Sequence, residues 1–176
     1  MKGALPALLL ILLLAQTPLV LAEPPAADLF SQLKAFAGTW SGVNSAGASV
    51  TVSFRETSAG SALLSEAHVS GHGEMISVFH LDRDRLLLTH YCSAGNQPRL
   101  TGHSSPGGRS IAFRFLDATN LSSPDDGHMS RVVISFLDAD HHTETWVYRD
   151  HGKEITEVCD LRRTKPGPPA TKERQK

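Results

Sequence analysis

His90 and Cys92 stand two residues apart in a run where Leu86, Leu88, His90 and Cys92 occupy alternate positions. In an extended strand, alternate positions share a face. A histidine on an otherwise apolar face is first of all a core residue whose ring is satisfied by one hydrogen bond. Its functional reading is a pocket group that orients a polar ligand atom. A thiol–imidazole catalytic pair needs sulfur and nitrogen within hydrogen-bond reach, plus a third group to orient the base. Same-face neighbours along a strand lie about 6.5–7 Å apart, so the spacing argues against such a pair.

The chain carries nine histidines. His68 and His72 have the spacing that shares a helix face, but their segment reads as a strand entering a glycine-rich turn. His141 and His142 are adjacent and point to opposite faces of a strand. Separated strands can supply three ligands to zinc, yet no spacing here converges them, and no metal site is predicted. Glu66 and His68 share one face of another strand, which is what a histidine acid–base enzyme would need. Arg114 sits between Phe113 and Phe115, and Glu144, Trp146 and Tyr148 share a face. Turned inward, such groups would form a polar floor under an apolar cavity. No Gly-x-Ser-x-Gly elbow and no glycine-rich phosphate loop occurs. No catalytic residue is therefore assigned by motif.

The elements that must position these residues are short strands. Val50, Val52 and Phe54 alternate with Thr51, Ser53 and Arg55. Similar runs of six to ten residues follow one another from Thr39 to Arg162, separated by turn residues such as Ser58-Ala-Gly60, Gly71-His-Gly73 and Asp138-Ala-Asp140. Ten strands with short links predict successive hairpins, and hence an all-β, up-and-down antiparallel barrel. Polar residues on both faces of several strands suit a barrel around a partly polar interior better than a packed sandwich. Leu29, Phe30, Leu33 and Phe36 lie at helical spacing behind Asp28, which predicts a short helix over 28–36 covering one mouth.

Composition sets the surroundings. Lys2 precedes an apolar run from Leu8 to Ala15 and then Val20-Leu-Ala22, the layout of an export signal cleaved after Ala22. Residues 1–22 are thus expected to be removed, leaving 154 of the 176 residues, no membrane span, and a periplasmic or secreted protein. Residues 23–27 read as a flexible lead, 28–163 as one domain, and the Pro-rich 164–176 as a disordered tail. The chain's net charge is −1, and no basic stripe appears, which speaks against nucleic acid as a partner. Two cysteines in an exported chain, Cys92 and Cys159, are by default read as a disulfide, but they fall on the fifth and tenth predicted strands, far apart around a ten-stranded barrel, which favours free, buried thiols over a bridge.

A short helix followed by Gly38-Thr39-Trp40 and about ten antiparallel strands resembles the calycin superfamily of lipocalins, fatty-acid-binding proteins and nitrobindin-like haem barrels. The resemblance implies that Trp40 closes one end of the barrel by packing against a basic residue of a late strand, Arg162 or Arg163. The runs Leu86–Arg99 and His128–Glu144 also resemble secreted bacterial lipocalin-like proteins without an established activity. The further glycine of nitrobindins is missing after Gly42, so no haem-ligating histidine follows. No cofactor is predicted, haem being the one group the resemblance keeps open. The expected function is the binding of a small, mostly apolar ligand in the barrel interior, with Trp40, His90, Tyr91, Arg114 and Trp146 as binding residues. The alternatives are an enzyme using His90 or His68 as acid–base, and an envelope interaction module with a filled core.

Overall fold

The computed structural model describes residues 23–105 and 107–167. The helix α1 (Ala26–Lys34) leads into ten strands: β1 (Gly38–Asn44), β2 (Ser49–Thr57), β3 (Ala62–Val69), β4 (Gly73–Asp82), β5 (Arg85–Tyr91), β6 (Gln97–Ser104), β7 (Ser110–Thr119), β8 (His128–Asp138), β9 (His141–Asp150) and β10 (Lys153–Pro166). Every strand pairs antiparallel with its neighbours in sequence, and β1 pairs with β10, so the sheet is a closed barrel. Closure leaves no free strand edge. The architecture is the one expected from the alternation pattern.

Element bounds differ in two instructive places. The helix starts at Ala26, behind Pro25, two residues before the predicted Asp28 cap, and Phe36 lies past its end. The lead is tied down as well, because the Glu23 carboxylate accepts the Ser104 backbone N–H at 2.8 Å. At the other end, β10 continues beyond Arg163 to Pro166, and Thr164 Oγ1 donates to the Thr39 carbonyl. The proposed signal segment and residues 168–176 of the predicted tail lie outside the described residues. Among those described, no helix is long and apolar enough to cross a membrane.

The barrel has a closed end and an open end. Leu29, Phe30 and Leu33 of α1 are buried against the closed end, and Lys34 pairs with Glu56 at 3.1 Å. Trp40 is fully buried there; its Nε1–H donates to the Phe36 carbonyl at 2.7 Å. The Arg163 guanidinium lies 4.1 Å over the Trp40 ring and reaches the carbonyls of Ala35, Ala37 and Ala139. Of the two candidate cations, Arg163 is therefore the partner. Phe36 packs on Trp40, Phe136 and His142 with ring separations of 5.4, 5.1 and 4.3 Å.

Above this plug, Leu63, Phe79, Leu86, Leu88, Leu100, Ile111, Phe113 and Leu161 fill the bore. Removing this apolar area from water is the main stabilising contribution, at about 25 cal/mol per Å². Gly42 allows β1 to close on β10: a Cβ at that position would lie 1.7 Å from the Asp160 carbonyl oxygen.

Candidate functional site

The inner face of β9 carries His142, Glu144, Trp146 and Tyr148 at successive alternate positions, and β9 runs from the closed end toward the open one. These residues form a column through the interior. His142 belongs to the aromatic plug and is fully buried. Its Nε2 lies 3.2 Å from Glu144 Oε1, so an N–H there donates to the carboxylate. The other oxygen, Oε2, accepts the Trp146 indole N–H at 2.9 Å. Glu144 is itself buried and has no Lys or Arg partner among the described residues.

His90 stands beside this column. It is 3% exposed, and its Nδ1 lies 2.9 Å from Ser77 Oγ, directly across the β4–β5 ladder. The Trp146 ring packs on the imidazole with centroids 4.9 Å apart. Burial pushes the pKa of His90 down to about 4, with the nearby Glu144 charge pulling weakly the other way. The ring is therefore neutral near pH 7, and its Nε2 has no hydrogen-bond partner.

The column ends at a cup in the open mouth. A cavity of about 460 Å³ opens there, lined by Val69, Met75, Met129, Trp146, Tyr148 and Ile155, with Cys92, His72 and Glu157 among its polar groups. This is the size of a small-ligand site, typically ~300–1,000 Å³. It exists because inner positions toward this end are small: Ser65 and Ser77 stand where Leu63 and Phe79 stand one step closer to the plug. Asn44 shapes the rim. Its side-chain oxygen accepts the N–H groups of Ala46 and Ala48, and its amide donates to Glu157.

The sequence-selected residues separate accordingly. Trp146 lines the cup and His90 lies directly beneath it, whereas Trp40 sits in the plug at the opposite end. Tyr91 is 49% exposed and Arg114 is exposed, so neither lines the interior. Tyr91 follows inward His90 and Arg114 follows inward Phe113; strand alternation turns both outward. Glu66 and His68 are exposed on the outer wall, where Glu66 lies 3.7 Å from Arg55. No acid–base couple between them faces the cavity. Met75, Met129, Tyr148 and Glu157 are cup residues that sequence reasoning did not select as binding residues. Same-face spacing from Trp146 indicated Tyr148; nothing indicated the other three.

Both thiols are free. Cys159 lies across the ladder from Glu144, and burial pushes its pKa up to about 12, with Glu144 and Glu157 adding to the effect. It is therefore a protonated, unreactive thiol at neutral pH. Cys92 makes no hydrogen bond to His90, whose Nδ1 faces Ser77 instead. No catalytic pair forms. His90 does not fit the role of a haem ligand in this arrangement, because the indole of Trp146 lies over its ring and its free Nε2 is sealed from the cup. No group of three or more His, Cys, Asp or Glu among the described residues is placed to hold a metal ion.

No family model matches the chain, and no curated protein matches it. Solved structures do. Rv2717c from M. tuberculosis superposes with a TM-score of 0.52 at 18% identity, over 80% of this chain and 98% of that one. A protein of unknown function from the DUF3598 family of Nostoc punctiforme gives a TM-score of 0.51 at 16% identity, over 86% of this chain but only 54% of that longer one. At such identities the likeness concerns the fold alone.

Proposed function

We propose that this chain is an exported, calycin-like barrel that holds a small, largely apolar guest in the cup at its open mouth. The observation that carries the reading is the cavity of about 460 Å³ above a filled bore. Its aliphatic, thioether and aromatic walls remove a guest's apolar surface from water. Trp146 is held in place by the Glu144 carboxylate and gives the guest a rigid face. The mechanism is passive: no group at the cup is arranged to make or break a bond.

The chain has two tryptophans, one in the cup and one in the plug, which makes the reading testable by fluorescence. Titration with a neutral amphiphile such as decanol should change Trp146 emission, and the response should vanish in Trp146→Phe while Trp40 emission remains. Ala94→Trp, at the cup's edge, should weaken binding. Native mass spectrometry of protein from its own host should show a retained guest that Ala94→Trp loses. Binding unaffected by both substitutions would place the guest elsewhere and overturn the proposal.

A further inference from the structure

We propose that the guest carries a cationic head, as an amphiphilic amine or quaternary ammonium does, and that the cup discriminates against fatty acids. This rests on the cup being the binding site, and it concerns the charge of the occupant.

The wall contains one carboxylate, Glu157, and no Lys or Arg. Glu157 is half-buried and receives only the neutral amide of Asn44. Beneath the wall lies Glu144, whose donors are an imidazole and an indole. Beyond the wall, the β7–β8 loop and the β9–β10 turn at this end carry three carboxylates, Asp125, Asp126 and Asp150, against the two bases Arg149 and Lys153. His151 in that turn lies with its Nδ1 2.7 Å from Asp150 Oδ1, and Asp150, then Asp125 and Asp126, raise its pKa.

A carboxylate guest in the cup would meet no Lys or Arg on its wall, and would have Glu157 beside it and Glu144 beneath. A neutral guest would leave Glu157 with its one amide partner. A cation gains the attraction of Glu157 and also faces Trp146 and Tyr148, whose ring faces attract positive charge. In a cavity with low-dielectric walls such attraction is focused and strengthened.

The test uses three probes with the same tail: decyltrimethylammonium, decanol and decanoate, each below its micelle concentration, read by Trp146 emission. The expected result is tightest binding of the ammonium, by about tenfold over decanoate, with that preference reduced several-fold in Glu157→Gln. The wild-type protein supplies an independent reading: ammonium affinity should weaken as salt is added, while decanol affinity should hold. Equal or tighter binding of decanoate, or salt-independent ammonium binding, would overturn the inference and leave the cup standing. Failure of all three probes to perturb Trp146 would overturn the cup itself, and this inference with it.

Discussion

Replacing His90 with glutamine removes an imidazole that the fold holds uncharged, and the loss is readable as a change in acid sensitivity. In the unfolded chain the ring gains its proton near its ordinary value of 6.5, while in the barrel it does so only near 4. Between those values the unfolded state binds the extra proton. Stability therefore falls as pH falls through this window and is insensitive to His90 above it. The gap corresponds to about 3 kcal/mol once the pH is below both values, and most of that is already lost at about pH 4.5. For a domain of this size the effect amounts to roughly 5–10 °C in Tm. The assay is thermal unfolding followed by circular dichroism at about pH 7.5 and pH 4.5, for the wild-type chain and His90→Gln. Carboxylates titrate in both proteins and cancel in the comparison. The wild-type Tm should drop further than the variant's, by the stated margin. Equal drops would show that burial does not hold His90 neutral, and the reasoning about a sealed ring under Trp146 would fail.

Three other substitutions or modifications probe the frame around the cup. Arg163→Ala should cost about 2–4 kcal/mol in urea unfolding, because three backbone carbonyls and the Trp40 face lose their cation together; a loss below about 1 kcal/mol would refute the closing role. Gly42→Ala should destabilise severely or prevent folding, since its methyl would collide with the Asp160 carbonyl; a near-native Tm would contradict the close approach of β1 and β10. Iodoacetamide at about pH 8 should label Cys92 in the folded protein and reach Cys159 only after unfolding, as mass spectrometry of digests would show, with equal native labelling counting against the buried thiol.

The barrel was legible because strand periodicity is a local property. Val50, Val52 and Phe54 alternate in the sequence, and all three are buried in β2. The same periodicity decides what the side chains do, and here the sequence reading departed from its own rule. His90 and Tyr91 are adjacent, so a strand that turns one inward turns the other outward, as β5 does. Arg114 beside Phe113 is the same case. What no local pattern contains is the height of a residue along the bore. That depends on barrel shear and on the register of each hairpin, which set Glu144 opposite Cys159 in β9–β10 and Ser77 opposite His90 in β4–β5. The cup was therefore foreseeable as a possibility of the fold, but its end of the barrel, and Met75, Met129 and Glu157 on its wall, were not.

The division of the bore into a filled and a hollow half has a physical counterpart in the polar column between them. An apolar residue at position 144 would remove the desolvation cost of a buried carboxylate that has no Lys or Arg partner among the described residues. An imidazole and an indole donor satisfy its two oxygens, and His90 and His142 each keep a ring nitrogen without a partner. A barrel selected for stability alone would fill these positions with aliphatic side chains, as it does around Leu63, Phe79 and Leu86. Of these groups His90 lies immediately beneath Trp146 and His142 in the plug, and between them the Glu144 carboxylate fixes the Trp146 ring against the hollow and gives the hollow an acidic floor. A cationic guest would bring a counter-charge toward Glu144, which has no Lys or Arg partner among the described residues. The stabilisation of the protein by such a guest should then exceed that by a neutral one of equal apolar area, and the excess should shrink in Glu144→Gln.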